Sequence, residues 1–133
     1  HPLIVINGDI LTRVNFREML EFHEEHAAHM TVAVRQHEFR VPYGVIETEG
    51  VAIKDITEKP MIRHSVNAGI YVLNPEVCAL IPADQPYDMT ELIAQLVIDN
   101  RLVVSFPVKD YWLDIGQSSD YEKAQEDLLS GKV

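Results

Sequence analysis

Apolar positions along the chain switch between two rhythms. Leu3–Ile6 is an unbroken aliphatic run, LIVI, of the kind that suits a strand covered on both faces. From Phe16 the spacing turns helical. Phe16, Met19, Leu20, His23 and Ala27 fall on one side, with Glu18, Glu21, Glu24 and Glu25 mostly on others. Asn15 stands where an N-cap belongs, and Glu18 completes a capping-box pattern. Met30–Val34 reads as a second short strand. Strand, turn, helix and strand make one βαβ unit, with a right-handed crossover expected.

The middle of the chain has a different pattern. GVIETEGVAIKDITEKP holds two short alternating runs around Glu49-Gly50, a hairpin signal that Pro60 ends. Ser65–Leu73 (SVNAGIYVL) is a further strand, and Gly69 inside it marks a bulge or a close backbone approach. Pro75 opens a short helix that runs to Ile81. Asp88 is placed to cap a helix from Met89 to Asn100, with Glu91 at the capping-box position and Leu92, Ile93, Leu96 and Val97 as its buried stripe. Leu102–Val108 is a strand, and a helix from Ser118 to Leu129 follows, capped by Ser118 or Ser119. The expected fold is α/β: a three-layer α/β/α, Rossmann-like, mostly parallel sheet with a β-hairpin excursion. Residues 1–133 are expected to form a single domain.

Composition narrows the function classes. The 133 residues match one ordinary domain, and 47% hydrophobic content allows a core. No apolar run approaches the roughly 18 residues of a membrane span. No basic stretch precedes an apolar one as in a secretory leader, so a cytoplasmic location is expected. Cys78 is the one cysteine, so an internal disulfide is excluded; in VCALI it reads as a small buried hydrophobe. The net charge is −10, from 21 acidic residues against 11 Lys plus Arg. Such a surface repels nucleic acid. Any phosphate bound here needs placed cations or a divalent metal held by the acids.

Several short stretches carry candidate chemistry. Ligands in α/β folds sit outside the carboxyl ends of strands, and Asp9, in NGD, lies at such an end. Asn7-Gly8 allows a sharp turn there, and Gly8 leaves room for a ligand. Mg²⁺ favours oxygen ligands and often takes only one or two carboxylates. Asp114, in YWLDIG, is a second acid followed by Ile115-Gly116 at an element's end, so the two could share one ion. Tyr43-Gly44 offers a ring to stack on a flat ligand and a backbone that can approach it. In Glu58-Lys59-Pro60, Lys59 is a compact charge suited to phosphate and Glu58 an acceptor for hydroxyls. Asn67, before Ala68-Gly69, has a donor and an acceptor that match a sugar hydroxyl. Taken singly, each also reads as a turn, a cap or a solvated charge pair. His23, His26 and His29 share a helix, but His23 falls in the apolar stripe and no acid or cysteine completes a zinc set.

In the order NGD, PYG, EKP, NAG, WLDIG, between Pro2 and Leu128, these pieces resemble the sugar-phosphate nucleotidyltransferases. The nearest likeness is to the mannose-1-phosphate guanylyltransferase-like group, some of whose members carry CBS domains. The resemblance implies catalytic roles for Asp9, Lys59 and Asp114, with Asp9 and Asp114 binding Mg²⁺. It implies substrate contacts from Tyr43, Gly44, Glu58, Lys59, Asn67 and Gly69, and packing of Trp112 under Asp114. GTP with mannose or heptose 1-phosphate are the implied substrates. The family's glycine-rich loop, roughly GGxGTRLxPLT, is absent, and Gln117 replaces a common threonine. The chain therefore reads as the C-terminal part of a nucleotidyltransferase domain, lacking N-terminal strands. Little activity alone is expected, as is self-association through the exposed edge at Leu3–Ile6. Two rivals remain. One is a non-catalytic sugar-phosphate sensor. The other is a receiver-like signalling domain, which fits the hairpin badly and would need an early acidic pair that this sequence lacks. NGDIL also lacks the paired aspartates of a haloacid-type phosphatase.

Overall fold

The computed structural model describes all residues from His1 to Val133. In chain order the elements are β1 (Leu3–Ile6), β2 (Ile10–Thr12), α1 (Phe16–Glu25), β3 (Met30–Arg40), β4 (Val45–Glu49), β5 (Ala52–Thr57), β6 (Met61–Leu73), α2 (Pro75–Cys78), α3 (Met89–Ile98), β7 (Val103–Pro107), β8 (Trp112–Asp114) and α4 (Ser118–Leu129). They fall into two compact units, His1–Val34 with Asn67–Val133, and Arg35–Val66. No helix is long and apolar enough to cross a membrane.

The larger unit is built on a sheet in the order β1-β6-β3-β7. β1 runs antiparallel to β6, with Leu3 opposite Leu73 and Ile6 opposite Ile70. β3 runs parallel to β7, with Met30 opposite Val103. β3 and β6 run in opposite senses, because Asn74 N–H bonds to His29 O while Val41 N–H bonds to Pro60 O. Three strands therefore share a direction and β6 opposes them, which is the expected mostly parallel, mixed sheet. β1 and β3 are parallel as the βαβ pattern requires, but β6 lies between them. A strand from far along the chain fills that gap, and local periodicity cannot announce it.

Side-chain alternation sorts the core into two clusters. Ala68, Ile70 and Val72 of β6 and Ala33 of β3 pack with Val14 and Met19, on the side of α1. Tyr71 and Leu73, with Met30 and Val32, pack with Val77, Leu92 and Leu96, on the side of α2 and α3. Helices on both faces of the sheet give the three expected layers. β1 lies at one edge of the sheet, and Leu3, Ile4 and Ile6 are exposed there.

The ends of the helices differ in detail from expectation. Asn15 does cap α1, its Oδ1 accepting Glu18 N–H at 3.2 Å. Asp88 occupies the N-cap of α3 but makes no side-chain capping bond. Gln117, not a serine, occupies the N-cap of α4, and its N–H donates to Asp120 Oδ2 at 3.0 Å. α2 stops at Cys78, where Leu80 and Ile81 turn to three-residue bonds on Val77 and Cys78. Val97, expected in the buried stripe of α3, is exposed.

The smaller unit contains the hairpin. β4 pairs with β5, Ile46 opposite Ile56, with an irregularity between Glu47 and Thr48. Gly50 sits in the left-handed region at φ 61°, the turn geometry that glycine supplies without steric cost. β3 and β6 run on into this unit beyond their expected ends. There Arg63 Nε pairs with Glu38 at 2.8 Å, and Gln36 Nε2 donates to Ser65 Oγ at 2.9 Å. None of the residues 35–66 is buried.

Candidate functional site

The acidic pair rests on a small ladder that the apolar pattern did not foretell. β2 and β8 pair antiparallel, Ile10 opposite Asp114 and Thr12 opposite Trp112. Ile115 N–H extends the ladder to Asp9 O at 2.7 Å. Asp9 thus precedes one strand where Asp114 ends the other, although 104 residues of sequence separate them. Trp112 packs on the α1-side core and donates its Nε1–H to Ala68 O at 2.7 Å, which fixes β8 to β6. The Asp114 carboxyl is raised above the ordinary carboxylate range. Partial shielding from water is the main cause, followed by the charge of Asp9 and a hydrogen bond with it, then the charge of Asp120. The two carboxyl groups therefore sense each other directly.

Two facing carboxylates form an oxygen-only donor set, which suits a hard cation such as Mg²⁺. No group of three or more His, Cys, Asp or Glu side chains is arranged to hold a metal. An ion here would need ligands from a substrate, as Mg²⁺ in phosphate sites does and as a closed structural zinc site does not. Gly8 is not in the left-handed region, and a Cβ there would meet nothing within 4 Å, so its expected role in sharpening the turn is not required. A Cβ on Gly116 would lie 3.7 Å from Asp114 Oδ1, an ordinary contact.

The glycine that matters for close approach is Gly69. Its φ is 74°, and a Cβ would stand 2.7 Å from Asn7 Nδ2 and 3.2 Å from Ile10 Cγ1. Asn67 Oδ1 accepts Gly69 N–H at 2.8 Å, and Asn67 Nδ2 donates to Tyr71 Oη at 2.8 Å. One amide hydrogen of Asn67 stays available. Beside this turn lies a cavity of about 220 Å³, lined by Asn7, Asn67, Tyr71, Asp88, Met89 and Thr90. Sequence reasoning found Asn67 and missed the rest of the lining. The one available signal was Asp88, an acid at a helix start whose carboxylate proves unused by the cap.

In the smaller unit, Gly44 lies close to Glu58: a Cβ there would be 3.6 Å from Glu58 Oε2. Tyr43 is 74% exposed, a ring with no packing role. Lys59 has φ 41°, uncommon for a residue with a side chain and more so before a proline. Its carbonyl accepts Arg40 Nη1–H at 2.9 Å, which helps hold the turn. Such retained backbone strain clusters at functional sites. The expected residues thus form three local groupings: Asp9 with Asp114, Asn67 with Gly69, and Gly44 with Glu58 and Lys59.

The histidines have structural tasks. His23 is buried, with Nδ1 2.7 Å from Thr31 Oγ1 and Nε2 2.7 Å from Asn74 Oδ1. His29 Nδ1 accepts Leu102 N–H.

A family model described as "Nucleotidyl transferase" matches residues 1–131. A mannose-1-phosphate guanyltransferase of Pichia angusta is 32% identical over 125 residues, covering 90% of this chain and 34% of its own length. A putative mannose-1-phosphate guanyltransferase of Sulfolobus acidocaldarius is 33% identical over 132 residues, covering 98% of this chain and 36% of its own. Among solved structures, HddC from Yersinia pseudotuberculosis superposes with a TM-score of 0.64 at 24% identity, over 96% of this chain and 55% of that one. A putative glucose-1-phosphate thymidylyltransferase from Bacillus anthracis gives the same TM-score at 19% identity, over 94% and 53%. These structural likenesses establish the fold. The chain spans about a third of the length of the curated relatives it matches. The match and the mixed sheet set aside a receiver-like domain.

Proposed function

The chain belongs to the nucleotidyl transferase family, and from that premise we propose that it supplies part of a site where a nucleotidyl group passes from a nucleoside triphosphate to a sugar 1-phosphate. A phosphate oxygen of the sugar 1-phosphate attacks the α-phosphorus, the bond to the pyrophosphate oxygen breaks, and a nucleotide-sugar and pyrophosphate result. The observation that carries this reading is the pairing of β2 with β8, which sets Asp9 beside Asp114. GTP and mannose 1-phosphate are the favoured substrates, supported by the names of the relatives above.

Asp9 and Asp114 are the residues that would hold Mg²⁺, which when bound supplies charge neutralisation at the reacting phosphates. The remaining roles fall to side chains. Lys59 is assigned the sugar phosphate, as a point charge on a turn whose backbone is already committed. Glu58 is assigned sugar hydroxyls, with Tyr43 and Gly44 against the ligand. The free amide hydrogen of Asn67, the unused carboxylate of Asp88 and the hydroxyl of Thr90 offer further hydroxyl partners around the 220 Å³ cavity. Chemistry of this type is mostly positioning and charge stabilisation. In the isolated chain the triphosphate has few donors, so little turnover is proposed. Self-association through the open edge of β1 and a cytoplasmic location complete the reading.

Amide chemical-shift mapping with GDP-mannose tests the site. With Mg²⁺ present, shifts are expected around Asp9, Asn67–Gly69 and Asp114–Gly116, and both Asp9→Asn and Asp114→Asn should remove them. Shifts that ignore the metal and both substitutions would refute the assignment. Robust pyrophosphate release by the isolated chain would refute the proposed inactivity, and a monomer at high concentration in light scattering would refute the edge contact.

A further inference from the structure

The most deeply buried acid in the molecule stands apart from the site. Asp127, on the last turn of α4, is 3% exposed, whereas Asp9 and Asp114 are exposed. Burying a carboxylate is costly unless it is paired and hydrogen-bonded. Asp127 has both. Its Oδ2 accepts the Tyr111 hydroxyl hydrogen, Lys123 Nζ lies 3.6 Å from Oδ2, and Lys132 Nζ lies 3.7 Å from Oδ1. Both lysines are more than half exposed, so solvent screens them and the phenol is the specific partner. The pairing keeps the Asp127 carboxyl below its ordinary range, chiefly through that hydrogen bond. Burial first, then the hydrogen bond to Asp127 and its charge, push the Tyr111 phenol up to about 12.

Tyr111 is the residue immediately before β8. Its carbonyl accepts Thr12 Oγ1–H at 2.5 Å and Arg13 N–H at 3.0 Å, so the main chain at this point is tied to the end of β2. Its ring reaches the opposite way, to α4. From Tyr111 the chain runs through Trp112 and Leu113 to Asp114, enters α4 at Gln117, whose N–H donates to Asp120, and returns at Asp127 to the Tyr111 hydroxyl. Asp114 thus sits on a strand clamped at its start by Tyr111 and followed directly by the helix that holds Tyr111.

We propose that Asp127 and Tyr111 are positioning residues for the acidic pair: the hydrogen bond between α4 and the start of β8 holds Asp114 at the spacing from Asp9 that a divalent ion needs. This inference rests on the reading of Asp9 and Asp114 as ion ligands. Neither Asp127 nor Tyr111 would itself hold the ion. They act through the backbone of β8, a three-residue strand whose only ladder partner is β2. So short a ladder fixes its ends poorly without outside ties; Trp112, bonded to Ala68 O, supplies one and Tyr111, bonded to Asp127, the other.

The test is a Mn²⁺ titration of the chain, read by paramagnetic broadening of the amide signals of Gly8, Ile115 and Gly116, well below the unfolding temperature of each variant. Tyr111→Phe removes only the hydroxyl and should weaken Mn²⁺ about tenfold, the lower end of the loss seen when groups behind a metal ligand are removed. Asp127→Ala should do the same. Asp127→Asn keeps an acceptor for the phenol and should stay close to wild type, although it deletes a negative charge. The opposite order, with Asp127→Asn weak and Tyr111→Phe unchanged, would reveal long-range charge rather than positioning and overturn the proposal. Unchanged affinity in all three variants would overturn it as well. If wild type shows no Mn²⁺ broadening at these amides, both this inference and the ligand reading fall together.

Discussion

Residues 35–66 and the rest of the chain are both rich in strand, yet different forces hold them. In the larger unit, β6 places Ile70, Tyr71, Val72 and Leu73 in contact with helices on both faces, all four nearly inaccessible to solvent. In the smaller unit, Ile46, Ile53 and Ile56 stay more than half exposed, and order comes from ladder bonds, the Arg63–Glu38 pair and the Gly50 turn. Ladder bonds alone give a two-stranded hairpin little stability. The acidic pair belongs to the first kind of region. Glu58 and Lys59 belong to the second. On the proposed assignment this division makes sense: ligands of an ion need spacing fixed within a fraction of an ångström, while groups that meet a sugar gain from a segment able to adjust.

The largest expected effect is on stability, and it separates the two regions directly. Leu96→Ala empties a fully buried position between α3 and the sheet and should cost about 2–5 kcal/mol. Ile53→Ala, in the exposed hairpin, should cost less than about 0.5 kcal/mol. Urea unfolding of both variants checks the pair. Equal losses would mean that the hairpin isoleucines are buried in solution, as self-association through that face would produce.

Glycines sharpen the contrast at the next level. Gly69→Ala forces a side chain into left-handed backbone, a cost of about 1–2 kcal/mol, and drives its Cβ to 2.7 Å from Asn7 Nδ2. Gly8→Ala, with nothing within 4 Å and no left-handed backbone, should be neutral within about 0.5 kcal/mol. Thermal melts of both would show it. Because Gly69 backs onto the turn that leads to Asp9, Gly69→Ala should also weaken Mn²⁺ binding, while Gly8→Ala should not.

Much of the larger unit was legible because its signals are local. The stripe Phe16, Met19, Leu20 and His23 gave α1, and the run at Leu3–Ile6 gave β1. Asp9 and Asp114 stood out in the sequence because each lies within two residues of a glycine at an element's end and because five short motifs occur in a family's order. What periodicity could not give was the β2–β8 ladder that joins them. A three-residue strand holds too few positions to show alternation, and its partner lies about a hundred residues away in sequence. The insertion of β6 between β1 and β3 is equally non-local. Asp127 was invisible for another reason. In QEDLL an acid on an amphipathic helix reads as solvent-facing, and only the fold shows that Tyr111 waits behind it. Asp88 does occupy the N-cap position that the sequence indicated, without a capping bond, and nothing local showed that it also lines the cavity.

Opposite pH behaviour is expected from the two acids near β8. Asp127 has a lowered carboxyl in the fold, so its contribution is present above the ordinary carboxylate range and is lost as pH falls through the folded value. Tyr111→Phe should therefore cost about 1.5–3 kcal/mol near neutrality, the scale of a hydrogen bond to a charged group, and less in acid.

Asp114 carries the reverse sign and the smallest effect. Its folded carboxyl is raised, so the unfolded chain releases that proton first. Stability then falls as pH rises from the ordinary carboxylate value through the folded one, and near neutrality the whole penalty is present. Asp114→Asn removes the penalty along with the proposed ligand. Without divalent ions, near neutral pH, the variant should melt slightly above wild type, and the gap should close below about pH 4, where the carboxyl is protonated in both states. Added Mg²⁺ should raise the wild-type melting temperature and leave the variant where it was, because an ion that binds only the folded state adds stability. Solvent at this exposed carboxyl keeps the metal-free gap small, but its sign is decisive. A variant that melts below wild type without metal would mean that the two carboxyl groups do not repel, and hence that the fold does not hold them as close as an ion site needs.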